Sequence, residues 1–221
     1  MNKQQLFALL EKQPPAKILE LLKDSYSKMS IEQRKLIFGQ FVKQPNPIIT
    51  VTKNVIKEVN QFYKDSLEGR YYAPFNINSK NYRDIPEETE EWFSRISELL
   101  RDSVKLSERG EDEAAVECFK LLNELIEQMS NGEEIVFADE YGTWMIHDDE
   151  KKRIKAYATS LAKVATAEEF AEAMLPIIHR DSYESFSSDA YSLISLVANK
   201  EQKANLDEEV KKQKIRIKTK L

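Results

Sequence analysis

Residues 86–130, PEETEEWFSRISELLRDSVKLSERGEDEAAVECFKLLNELIEQMS, decide the fold. Trp92, Phe93, Ile96, Leu99, Leu100, Val104 and Leu106 recur at steps that place them on one broad face of an α-helix. Pro86 suits the start of that helix, and Glu87, Glu88, Glu90 and Glu91 suit its first turn, where carboxylates offset the unpaired N–H groups. Arg109-Gly110 ends it. A second stripe follows over about Glu111–Met129, carried by Ala115, Cys118, Phe119, Leu122, Leu125, Ile126 and Met129. Two amphipathic helices joined by so short a link bury their stripes against each other, giving an antiparallel hairpin.

The same pattern extends in both directions. Upstream, a helix is expected over Asn2–Lys12, and Pro14-Pro15 separates it from one bearing Ile18, Leu19, Leu22 and Tyr26. Ser30 and Gln33 form a capping-box pair before Leu36, Ile37, Phe38 and Phe41. A fourth helix, about Ile48–Glu68, presents Val51, Val55, Val59 and Phe62 and stops at Gly69; its β-branched start also allows a strand, which lacks an obvious partner. Residues 70–85 hold three tyrosines and Phe75, too aromatic for a loose linker, so packing over the helices is expected.

Downstream, Asp148 or Asp149 caps a helix to about Val164 carrying Ile154, Tyr157, Ala158, Leu161 and Val164 on its inward face. Thr166 and Glu169 form another capping box, before Phe170, Met174, Leu175 and Ile178. Asp181 or Ser182 caps a helix with Phe186, Tyr191, Ile194 and Val197, and a polar helix begins at Lys200. The fold class is therefore mainly α: stacked antiparallel helix pairs, an irregular bundle or short solenoid.

One segment breaks the pattern. In Gly132–His147, the runs Ile135-Val136-Phe137 and Trp144-Met145-Ile146 are β-prone, and Asp139-Glu140-Tyr141-Gly142 between them fits a turn. A small β-hairpin near 134–147 is expected, with Phe137 and Trp144 anchoring it to the helices, because an isolated hairpin is only marginally stable. The chain thus divides into a helical part over 1–69, an aromatic connector over 70–85, an acidic and C-terminal helical part over 86–210, and a basic tail over 211–221.

The turn and Ala-x-x-x-Phe spacing of Gly110-Glu111-Asp112-Glu113-Ala114-Ala115 through Phe119 resemble one tetratricopeptide-type repeat over about 94–130. The resemblance implies helix-pair packing, and it brings no peptide-binding site with it. The island and Asp181–Phe186 resemble stretches of uncharacterised bacterial proteins, a likeness that carries no function.

Charge and motif content narrow the functional classes. Residues 1–83 carry 14 basic and 7 acidic side chains (+7), residues 84–149 carry 5 and 20 (−15), and residues 150–221 carry 14 and 11 (+3). The lone Cys118 cannot form an internal disulfide and lies on a core stripe, in keeping with a reducing cytoplasm. No apolar run approaches the roughly 20 residues needed to span a bilayer. Glycine-rich phosphate loops and a Gly-x-Ser-x-Gly nucleophile turn are absent, so His179, Asp181 and Ser182 make no recognisable triad. Enzymatic activity is accordingly not the leading expectation, and no cofactor is called for.

Three binding readings stand. The first is an interaction module contacting a basic protein or peptide through an acidic helical surface and the tip residues Asp139, Glu140, Tyr141 and Trp144. The second is a metal-dependent hydrolase with Asp139, Glu140, His147, Asp148 and Asp149 as ligands; these residue types suit a divalent cation, yet their spacing matches no known metal loop. The third is nucleic-acid binding by the tail bases Lys211, Lys212, Lys214, Arg216, Lys218 and Lys220, which otherwise read as a disordered solubilising end.

Overall fold

The structure, a computed structural model, describes residues 7, 9–29, 47–137, 142–179 and 184–217. It is all-α, with eight bounded helices among the described residues: α1 (Pro15–Lys28), α2 (Pro47–Leu67), α3 (Glu87–Glu108), α4 (Asp112–Ser130), α5 (Glu150–Val164), α6 (Ala167–His179), α7 (Glu184–Val197) and α8 (Lys200–Lys212). The chain forms two compact units, Met1–Thr50 and Val51–Leu221.

In the first unit, Pro15 opens α1 at the first helical position, where a missing N–H costs nothing. Leu19, Leu22 and Tyr26 of its expected apolar face are exposed, as is Leu21. The expected Ser30 helix lies outside the described residues; of the Asn2–Lys12 helix, Phe7, Leu9 and Leu10 are helical and Glu11 and Lys12 form a turn among the described residues. The β-branched stretch Ile48–Val51 is helical, part of α2.

The second unit holds one continuous hydrophobic core. Every stripe residue of α3 and α4 named above is buried, with Trp92, Leu99, Leu100, Cys118, Phe119 and Leu122 fully enclosed. Gly110, at φ +78°, turns the chain between the two helices in a conformation that L side chains resist. Helix α5 is central: it packs against α3, α4, α6 and α7. Its start is capped as expected, Asp149 accepting from the Lys152 N–H at 3.0 Å. The Thr166–Glu169 capping box opens α6, and an Asn199–Gln202 box, not foreseen, opens α8, which lies along α6. Gln202 also ties α8 to the end of α5, donating to the Ala162 and Ala165 carbonyls.

The aromatic connector packs where its composition predicts. Tyr71 is buried against Phe62, and Tyr72 and Phe75 meet Phe137 edge-on at 5.9 and 5.3 Å between ring centres, whereas Tyr82 is exposed. Phe62 in turn lies 5.8 Å from Trp92, whose indole N–H donates to Ser66 Oγ at 2.9 Å.

The expected β-hairpin is not formed: the described residues of 134–147 contain no strand. The reason lies in where their backbone groups find partners. Thr89 Oγ1, buried on α3, donates to the Phe137 carbonyl at 2.7 Å and accepts its N–H at 3.3 Å. Two turns further along α3, buried Ser97 Oγ accepts the His147 N–H at 2.9 Å, and Arg101 Nη1 donates to the His147 carbonyl at 2.6 Å. Groups that would have formed a ladder are thereby committed to one helix. Ile135 and Val136 insert into the core side by side, which the alternating geometry of a strand would forbid. Gly142–Met145 winds into a 3-10 turn instead. Phe137 does anchor the segment; Trp144 does not, being 89% exposed.

Candidate functional site

An acidic concavity lies on α4, α6 and α8, away from the segment that sequence reading favoured. Two adjoining hollows of about 430 and 560 Å³ share Glu127, Glu172 and Pro176 in their walls and so form one groove. Helix α6 supplies Glu168, Ala171, Glu172, Leu175, Pro176 and His179, the i, i+3, i+4, i+7, i+8, i+11 positions of a single face. Helix α4 supplies Lys120, Asn123, Glu124 and Glu127, again one face. Asn205 and Glu209 of α8, with Gln213 just beyond it, close the far side.

Six glutamates (124, 127, 168, 169, 172 and 209) face one lysine across this groove. Three are committed locally. Glu124 accepts from the Tyr63 hydroxyl at 2.6 Å and from Gln128, and that contact, with some burial, pushes the tyrosine up to about 12. Glu169 is held below the usual carboxylate range, first by the Thr166 N–H and then by the Thr166 hydroxyl, so it stays ionised. Glu209 pairs with Lys212 at 2.7 Å. Glu127, Glu168 and Glu172 are exposed and form no ion pair among the described residues.

Pro176 lines both hollows. It brings no N–H to the interior of α6, so the Glu172 carbonyl lacks the donor that the helix normally provides. The apolar part of the lining is Ala171, Leu175 and Pro176, with Tyr157, Ala173 and Ile177 continuing it. Burial pushes the Tyr157 phenol upward, which keeps this part of the lining uncharged at neutral pH.

The residues singled out from sequence are dispersed. Asp139, Glu140 and Tyr141 lie outside the described residues, as do Lys218 and Lys220. Asp148 is enclosed with Arg153: Oδ2 and Nε lie 2.6 Å apart, and the two side chains are 6% and 5% exposed. Asp149 is spent on capping α5, and His147 is exposed. Among the described residues no group of three or more His, Cys, Asp or Glu side chains is arranged to hold a metal ion. In the tail, Lys212 pairs with Glu208 and Glu209, Ile215 and Ile217 pack against the core, and Lys211, Lys214 and Arg216 are exposed. Burial drives the Cys118 thiol up to about 12, so at neutral pH it is an unreactive thiol.

The groove glutamates escaped sequence reading because they come from three helices widely separated in the chain. A signal was nevertheless available in the spacing of 120, 124 and 127 and of 168, 172 and 176. No family model, no curated protein and no solved structure matches this chain. Among the described residues no helix is long and apolar enough to cross a membrane.

Proposed function

We propose that this protein is a non-enzymatic interaction module that receives a basic protein or peptide segment in the α4–α6–α8 groove. The observation that carries this reading is the pairing of an apolar lining with three exposed glutamates, Glu127, Glu168 and Glu172, that form no ion pair among the described residues. Carboxylates left without internal partners attract cationic ligands and fix their register, while apolar contact supplies the affinity. Exposed Trp144, which follows Asp139, Glu140 and Tyr141 closely in sequence, is a candidate secondary contact on the same principle.

Panning a random peptide library against the full chain and against the Glu127→Lys/Glu168→Lys/Glu172→Lys variant tests the proposal. Lysine- and arginine-rich sequences should be enriched on the native chain and lost on the variant, with the helical circular dichroism of both proteins alike. Equal retention by the two proteins would remove the groove from consideration.

A further inference from the structure

Resting on that docking reading, we infer that the groove takes its partner as an amphipathic cationic helix of about three turns. Three features of the groove point to a helical occupant. Its lining on α6 is an unbroken helical face from Glu168 to His179, and eleven steps of 1.5 Å make it roughly 16 Å long, the length of a helix of about eleven residues. The described residues contain no strand, so no sheet edge is offered to which an extended peptide could add its backbone hydrogen bonds. An extended occupant would therefore bind by side chains alone.

The chemistry is layered as a helix requires. Ala171, Leu175 and Pro176 form a low apolar line along the groove; Glu124 and Glu127 flank it on α4, and Glu209 flanks it on α8. A helix with apolar residues at i, i+3 or i+4, and i+7 would set them on that line and carry lysine or arginine toward both flanks at once. A strand-like peptide presents its two sets of side chains to opposite faces, so it could satisfy either the apolar line or the carboxylates but not both.

The test compares two fluorescein-labelled peptides of identical leucine and lysine composition, one arranged with helical periodicity and one with strict alternation. Fluorescence anisotropy is measured with the full chain and with the exposed-site variants Glu172→Lys and Glu127→Lys. The inference expects the helical-period peptide to bind at least about tenfold more tightly, to gain helical circular dichroism when bound, and to lose that advantage on either variant. Equal binding of both peptides, lost alike on the variants, would overturn the helical inference and leave the docking reading standing. Binding of neither peptide would overturn both. A native chain that sediments as a dimer, with Glu172→Lys monomeric, would assign the groove to a second copy and also overturn the inference.

Discussion

Replacing Asp148 by alanine strips the buried guanidinium of Arg153 of its nearest anion. Nε of Arg153 lies 2.6 Å from Asp148 Oδ2, and both side chains are almost fully enclosed. What remains is Glu150, 3.2 Å from Nη2 but 42% exposed, and Asn123 Oδ1 at 3.5 Å. Removing one member of a buried pair costs about 3–5 kcal/mol, because the survivor stays desolvated without its partner. Glu150 offsets part of this, so a cost near 3 kcal/mol is expected, which for a unit of this size lowers Tm by roughly 6–12 °C. Urea unfolding followed by far-ultraviolet circular dichroism measures it. The decisive control is Arg153→Met. In that background Asp148 is itself the stranded charge, so Asp148→Ala removes it and should cost under about 1 kcal/mol or even stabilise. A single variant that loses less than about 1 kcal/mol, or an equal loss in both backgrounds, would refute the claim that Asp148 serves Arg153.

Three further outcomes follow from single features. Trp92 is fully buried and Trp144 is 89% exposed, so Trp144→Phe should leave an emission that acrylamide barely quenches, with stability changed by no more than about 0.5 kcal/mol; unchanged quenching would contradict it. Gly110→Ala should cost about 1 kcal/mol in denaturant midpoint, from backbone strain alone, because φ is +78° and nothing lies within 4 Å of the added methyl. Thr166→Ala should cost about 1 kcal/mol by breaking the α6 capping box. Because the Glu169 carboxyl is depressed on folding, its contribution is present above the unfolded glutamate value and lost as pH falls through the lowered one. Alanine keeps the Thr166 N–H, the larger cause of the depression, and removes only the hydroxyl's share, so the gap between native and Thr166→Ala proteins should narrow slightly below about pH 4, and a gap that widened there would contradict this.

Helix periodicity made most of the second unit legible, since Trp92 through Leu106 and Ala115 through Met129 repeat the spacing of one buried face. Caps at Asp149 and Thr166 were equally readable because their chemistry is local. The hairpin expectation failed for a non-local reason: hydroxyls of Thr89 and Ser97, some fifty residues upstream, take the backbone groups a ladder would have used. Val164 continues the α5 pattern yet is exposed, as the helix ends there. The basic tail held an overlooked cue, with Ile215 and Ile217 alternating with Lys214 and Arg216 before packing on the core. The groove was hidden by block averaging. Glu168, Glu172 and Glu209 belong to a stretch that is net positive, and their field becomes negative only when α6 and α8 stand beside α4.

Helix α5 has a consequence for how the second unit comes apart. An element that touches four others ties α3, α4, α6 and α7 into one packed body, to which α8 is joined chiefly through α6. Loss of α5 packing removes a shared support of α3, α4, α6 and α7 together, so these five helices are expected to unfold in one step. The α4 and α6 walls of the groove consequently share the rigidity of that body, and a partner meets them already set before it arrives.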